Sequence, residues 1–423
     1  MFYYYSLHDL HKMMLLPWRY PAQLFEQYLN SSLCPFTDLP VCRTLASGAS
    51  TIEMSVPNFG KPTFGITATK FRGEDVTVRE KVIEHMPFCN LVSFQRESKV
   101  KSVNEHIAND PTLLIIPPMS GHFASLLRGT VEAMLPSHNV FVTDWLDAKM
   151  VPLCKGYFDL EDQIGYLIQA IKKLGEDVHI LAVGQSSLSA LAAVSLIAAE
   201  NPKAQPGSLT LIGGPIDARK IECPFTEISN KRPLSWYRQE QIQMVPAYYP
   251  GALRRVYPGM MQLIDRMSMV VNQDVKEQLK YFQYLTRGDE DSPEAHKKLY
   301  QIFMSVMDVP EEFHIQFVER AYQNHALANG SFMWRGQKVD PAAITHTAIL
   351  TVEAELDEIS PPGHTRAALD MCTSLPDAKK MDYMQIGVRH YGAFTGRKWR
   401  NVIQPVVHGF IREHCGNETG VYA

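Results

Sequence analysis

Residues 178–196 read VHILAVGQSSLSALAAVSL, and no other stretch constrains the fold as much. An apolar, β-branched run stops at Gly184-Gln185-Ser186-Ser187, and an alanine- and leucine-rich run with helical spacing starts at once. A strand that turns directly into a helix needs small residues at the corner, because the central residue occupies strained φ/ψ space and its flanks approach closely. Such a corner projects one side chain above a parallel sheet. The string resembles G-x-S-x-G centred on Ser186, with Leu188 where a second glycine is usual. The plain alternative is a buried strand followed by an ordinary helix with Ser186 as its N-cap.

Two later segments weigh against that alternative. Ala348 to Pro361 reads AILTVEAELDEISP, an apolar run followed by acids, and Lys380 to Arg397 reads KMDYMQIGVRHYGAFTGR, a strand-like run followed by a loop carrying His390. The chain order Ser186, Asp357, His390 is that of the α/β-hydrolase triad. Each candidate follows a predicted strand, where loops at the carboxyl ends of a parallel sheet carry catalytic groups. Taken singly, Asp357 also reads as a solvated turn carboxylate among Glu353, Glu355 and Glu358, and His390 as one loop histidine among fifteen.

Strand and helix alternate elsewhere too. TLLIIPPMSG, HFASLLRGTVEAML, NVFVTDW, Asp159 to Leu174, the elbow and SLTLIGGPID predict an α/β fold with a mostly parallel sheet covered on both faces. The rhythm breaks over 218–335, which shows no clear strand and is rich in Tyr, Met and Pro, and it resumes at Ala348. The expected organisation is an N-terminal extension packing on the core (1–110, helical over 1–45), a core (111–217 and 336–423) and a helical cap insertion (218–335). A cap of this kind excludes water and shapes the substrate site.

The chain has 423 residues, 45% hydrophobic, with a net charge of −4. There is no basic excess to suggest a nucleic-acid partner. The apolar runs are too short for a membrane span. The opening MFYYYSLHDLHKMMLL has no early basic cluster, and it reads as a mature amphipathic segment rather than a signal peptide. The seven cysteines (Cys34, Cys42, Cys89, Cys154, Cys223, Cys372 and Cys415) lack C-x-x-C spacing and read as reduced thiols of a cytoplasmic protein. With scattered histidines, no H-E-x-x-H and no G-x-G-x-x-G after a strand, neither a metal nor another cofactor is expected.

Serine needs an imidazole to take its proton, and the imidazole needs a carboxylate to hold its tautomer. Ser186 would attack an ester carbonyl, His390 would accept its proton and Asp357 would orient His390. Oxyanion donors are expected from the N–H of Ser187 and from the Pro118-Met119-Ser120-Gly121 loop, at Met119 and Ser120. That loop also reads as an ordinary strand-to-helix turn. His122 is a candidate pocket residue, or else a packing histidine. Trp145 is a candidate for the site floor, beside a strand-end Asp144.

PPMSGHFASLLRGTVEAMLPSHNVFVTDW, LAVGQSSLSALAAVSL, RRVYPGMMQL, TVEAELDEIS and RHYGAFTGRKWR together resemble the bacterial intracellular polyhydroxyalkanoate (polyhydroxybutyrate) depolymerases; GKPTFGI and the Tyr/Leu-rich opening fit as well. The resemblance implies an α/β-hydrolase fold and hydrolysis of storage polyester, chiefly poly(3-hydroxybutyrate), at cytoplasmic granules, with release of hydroxyacid monomers or oligomers. It places Asp357 and His390 at the family's acid and base positions. The family's elbow commonly reads A-V-C-Q-P with a cysteine nucleophile, whereas Gly184 stands there in this chain. Either Ser186 substitutes, or the chain is a catalytically impaired granule-binding homologue. A polymer synthase is disfavoured, because synthases of this fold resemble G-x-C-x-G and this elbow holds no cysteine. An insoluble polymer calls for an adsorbing apolar surface. Tyr248, Tyr249, Met260 and Met261 of the cap, or the Tyr3–Tyr5 end, are the candidates, with Tyr248 and Tyr249 also expected to bind substrate.

Overall fold

The computed structural model describes residues 3–29, 31, 34, 60–270 and 301–415. Helix α1 (Tyr3–Leu29) comes first. Antiparallel strands β1 (Ala68–Phe71), β2 (Glu74–Met86) and β3 (Cys89–Glu97) follow. Strand–helix units come next: β4 (Thr112–Ile116), α2 (Arg128–Met134), β5 (Asn139–Trp145), α3 (Leu160–Leu174), β6 (His179–Val183), α4 (Ser186–Glu200) and β7 (Ser208–Ile212). The insertion carries α5 (Pro224–Lys231), α6 (Leu234–Glu240), β8 (Gln243–Met244), β9 (Arg255–Tyr257), α7 (Gly259–Val270), β10 (Val309–Pro310) and α8 (Glu311–Phe317), then a hairpin of β11 (Met333–Trp334) and β12 (Gln337–Lys338). The chain re-enters the core as β13 (Ala348–Ala354), β14 (Lys380–Gln385) and α9 (Gln404–Glu413).

Among the described residues the main sheet has nine strands in the order β1-β2-β3-β5-β4-β6-β7-β13-β14. The six from β5 to β14 run parallel, and β1–β3 are antiparallel. Every residue of β6, β7 and β13 is buried, which is why these strands read as mostly apolar runs without a polar face. Alternate side chains serve opposite faces. Leu114, Ile180 and Leu209 pack with α3 and α4, whereas Leu113, Leu181 and Leu350 pack with α2 and α9. Helix α3 starts on a reciprocal cap: Asp162 N–H donates to Asp159 Oδ1 (2.9 Å) and Asp159 N–H to Asp162 Oδ2 (3.2 Å). Helix α4 is buried all round as far as Ala198, so its apolar composition shows no polar face. This is an α/β-hydrolase fold: a mostly parallel sheet, helices on both faces, a tight β6–α4 turn and an insertion after β7.

Two expectations change. Residues 68–97 of the predicted N-terminal extension do more than pack on the core: β3 pairs with β5, and β1–β3 continue the sheet. The cap is not purely helical. β8, β9 and β10 form a small antiparallel sheet, and strands of two or three residues are too short to leave an alternating pattern. Residues 271–300 of the predicted cap, and residues 35–45 of the predicted N-terminal helical stretch, lie outside the described residues.

Arg254 fastens the cap to the core. Its buried guanidinium donates to the carbonyls of Val151 (3.2 Å), Pro152 (3.0 Å) and Gly156 (2.8 Å) and lies 4.9 Å from the ring centre of Phe88. Removing it strands three carbonyls together. Arg254→Ala is expected to lower the unfolding free energy by about 3 kcal/mol in urea titrations.

Candidate active site

The parallel strands end on one edge, and their loops bring the candidate groups together. Leu356 N–H donates to Val388 O (3.0 Å) and Glu355 N–H to Gln385 O (3.0 Å), so the loops after β13 and β14 are cross-linked through their backbones. His390 and Asp357 are both buried, and His390 Nδ1 lies 2.7 Å from Asp357 Oδ2. The other oxygen, Oδ1, accepts the N–H groups of Ile359 and Ser360 at 2.8 Å each. The carboxylate therefore has a fixed orientation and presents one oxygen to the imidazole. Gly213 leaves room for the pair: a Cβ there would come within 3.2 Å of His390 Cε1 and 3.3 Å of Asp357 Oδ2.

The elbow apex is Gly184. It has φ +58°, the left-handed conformation of such a turn, and its N–H donates to Ile212 O at 2.7 Å. A Cβ built on it would stand 3.9 Å from His390 Nε2 and 3.6 Å from Pro118 Cβ. The imidazole thus faces residue 184 and not residue 186.

This corrects the expectation for Ser186. It is the first residue of α4, fully buried, with its hydroxyl donating to Pro117 O at 2.7 Å. Ser187 is corrected as oxyanion donor, because its N–H is taken by Gly184 O (3.0 Å) and its hydroxyl points back to Ala182 O (3.3 Å). With the apex at 184, the residue after it is Gln185, at the amino end of α4 where first-turn N–H groups lack helical partners. Read locally, a glycine–serine string fits the elbow in two registers, so the sequence did not single out Gln185. Met119 and Ser120 line the cavity in front of His390, as does Pro118.

The cavity lies between the sheet edge and the cap. Gly184, Gln185, His390 and Tyr391 line one end, and Phe225, Ile228, Val309 and Phe317 are among its apolar walls. His122 lines it too, buried, 4.8 Å from the ring of Phe303 and with Nε2 3.5 Å from the Tyr391 hydroxyl. Trp145 does not reach it and is corrected as a floor residue: its ring is buried in the core and Nε1–H donates to Pro117 O at 2.9 Å. Tyr248 and Tyr249 are corrected as pocket residues. Their hydroxyls donate to Asp9 of α1, at 2.6 Å and 3.3 Å, and hold that helix against the cap. Tyr5 adds a buried hydrogen bond to Asp308.

Two further features carried no sequence signal. Glu353 is buried beneath the acid loop, and its carboxylate accepts the N–H groups of Gly363 (2.8 Å), Thr365 (2.8 Å) and Arg366 (3.0 Å). In the cap wall, His314 Nε2 lies 2.9 Å from Gln241 Oε1, Gln241 Nε2–H donates to Asp265 (3.0 Å), and Tyr257 donates to the same carboxylate. All four line the cavity. Among the described residues no cluster of three His, Cys, Asp or Glu could hold a metal ion.

Residues 213–415 match the family model described as PHB de-polymerase C-terminus. The match includes Asp357 and His390 and begins after the elbow. No curated protein matches the chain. Among solved structures it is similar to a hydrolase from Pseudomonas aeruginosa PA01 (10% identity, 80% of this chain, 99% of that one, TM-score 0.42). It is also similar to 2-hydroxy-6-oxo-6-phenylhexa-2,4-dienoate hydrolase from Rhodococcus sp. strain RHA1 (12% identity, 80% and 99%, TM-score 0.41). A third is the monoacylglycerol lipase of Paleococcus ferrophilus (12% identity, 72% and 96%, TM-score 0.40).

Burial pulls the His314 imidazole down to about 3. The unfolded chain binds a proton at this residue below its ordinary value near 6.5, whereas the folded chain does not bind one until near 3. Stability therefore falls as pH drops through that window, by about 1.4 kcal/mol per unit from this group. Urea unfolding between pH 7 and pH 4 is expected to show this loss, with a shallower slope in His314→Gln.

Proposed function

We propose that the chain hydrolyses ester bonds of a poly(3-hydroxyalkanoate), chiefly poly(3-hydroxybutyrate), and releases hydroxyacid monomers or short oligomers. The buried His390–Asp357 pair, opening on an apolar cavity at the carboxyl edge of the sheet, carries this reading; the match of residues 213–415 to the PHB de-polymerase C-terminus model supports the substrate class. His390 takes the proton of the attacking oxygen and returns it to the leaving alcohol, while Asp357 holds Nδ1–H and stabilises the imidazolium. The N–H groups of Gln185 and Met119 serve the tetrahedral oxyanion. Apolar walls suit the methyl-bearing repeat unit. Release of 3-hydroxybutyrate from amorphous granules is the test. Asp357→Asn and His390→Gln are each expected to reduce it by about 10³-fold or more. Gly184 favours a second reading, a granule-binding homologue that does not cleave. Retained granule binding with no release by the unaltered chain would select it.

The polymer surface is the partner, in the cytoplasm. Of the cap candidates Tyr248 is exposed and Tyr249, Met260 and Met261 are only partly exposed, whereas Leu10, Met13, Met14, Tyr20, Leu24, Phe25 and Tyr28 of α1 are all exposed and recur at helical spacing. No helix of the described residues is long and apolar enough to cross a membrane. Replacing Met13, Met14 and Phe25 by Ser is expected to weaken adsorption to granules in a sedimentation assay and to leave turnover of a small soluble ester unchanged.

A further inference from the structure

The geometry points to ester hydrolysis without a covalent nucleophile: His390 activates a water molecule seated against Gly184. The inference rests on the ester-hydrolase reading above and specifies its chemical step.

Three observations carry it. The apex of the turn, identified by its positive φ, is a glycine. The direction in which a side chain would leave that residue runs towards His390 Nε2, and a Cβ there meets only ordinary contacts, with Pro118 Cβ at 3.6 Å and Nε2 at 3.9 Å. The space between apex and imidazole is thus side-chain sized, and Gly184, Pro118 and His390 all line the cavity. Finally, the hydroxyls that follow in the chain are committed elsewhere. Ser186 and Ser187 are fully buried and donate to Pro117 O and Ala182 O. No cysteine lines the cavity among the described residues.

In the step that follows, Nε2 removes a proton from water as the water oxygen bonds to the ester carbonyl carbon. The carbonyl electron pair moves onto oxygen, beside the N–H groups of Gln185 and Met119. The tetrahedral species collapses, the bond to the alkoxy oxygen breaks, and the imidazolium returns its proton to that oxygen. One water is consumed, one acid and one alcohol are formed, and no bond to the protein is made.

The test combines rate with adduct detection, using a soluble 3-hydroxybutyrate oligomer as substrate. The unaltered chain should turn over with no acyl adduct by intact-protein mass spectrometry, and an alkyl fluorophosphonate should leave it unlabelled. Ser186→Ala should keep the rate. Gly184→Ala, which fills the water position with a methyl group, should lose about 100-fold or more, with thermal melting used to verify that it folds. Gly184→Ser should become labelled by the fluorophosphonate. An acyl adduct on any side chain of the unaltered chain, Ser120 and Ser360 included, would overturn the inference while hydrolysis itself stands. So would loss of turnover in Ser186→Ala or full activity in Gly184→Ala. No turnover by the unaltered chain removes the ester-hydrolase reading, and the inference falls with it.

Discussion

One carbonyl oxygen, that of Pro117, sets the chemistry of the elbow. It accepts the Ser186 hydroxyl at 2.7 Å and Trp145 Nε1–H at 2.9 Å. Both of its lone pairs are used, so the oxygen can be buried without loss. Pro117 follows β4, Trp145 ends β5 and Ser186 follows β6, so these contacts tie three adjacent strand ends together. They also fix the direction of the Ser186 side chain. The hydroxyl turns to the core side of the first loop, and the bare Cα of Gly184 is what remains in front of the imidazole. Turning Ser186 outward would leave its burial site and one lone pair of that carbonyl unsatisfied, a cost of about 1–3 kcal/mol.

Asp357 and His390 are held with little freedom. Backbone hydrogen bonds join their loops at Glu355 and Leu356, Asp357 uses one oxygen on two N–H groups, and Glu353 draws residues 363–366 back beneath the strand. Burial raises the Glu353 carboxyl, and the N–H groups it accepts oppose that rise. Thr365 then exchanges hydrogen bonds with Gly214, at 2.8 Å from its N–H and 3.0 Å to its oxygen, next to the glycine that makes room for His390. The dyad geometry is therefore built mainly from backbone contacts, which tolerate little drift and require no ligand to assemble.

What was legible in the sequence follows from periodicity. Buried parallel strands give short, mostly apolar runs, so β4–β7 and β13 could be placed, whereas the edge strand β14 (KMDYMQ) is half-exposed and shows only a weaker strand-like run; with them came Asp357 and His390 at strand ends. Register at the corner was not legible from the local string, and only the resemblance set Gly184 at the nucleophile's place. Gly184-Gln185-Ser186-Ser187 permits an apex at either 184 or 186, and the choice depends on a backbone angle and on a carbonyl 69 residues away in sequence. Trp145 sits at a strand end, where the alternation that assigns faces has no following residue to fix it. Tyr248 and Tyr249 read as an apolar patch because nothing local reveals Asp9 as their partner. The strands of the cap, two or three residues long, do not complete two periods of the pattern that would announce them.

The glycine at the apex changes the balance of costs at the site. A side-chain-bearing residue held at φ +58° carries strain on the order of 1–2 kcal/mol. Glycine adopts that angle without it. A hydrolase with a tethered nucleophile accepts this strain in return for an oxygen or sulfur already aligned with its base. A hydrolase that uses water has no strain to accept but must immobilise a mobile molecule, at about 0–2 kcal/mol. The two costs are of the same order, so the turn can dispense with a nucleophilic side chain provided the imidazole, the oxyanion donors and the cap define the water's position closely. That condition falls on the walls of the cavity. His390 is fixed by Asp357, Met119 and Gln185 sit on the adjoining loop and helix end, and the cap closes the apolar space in front of them.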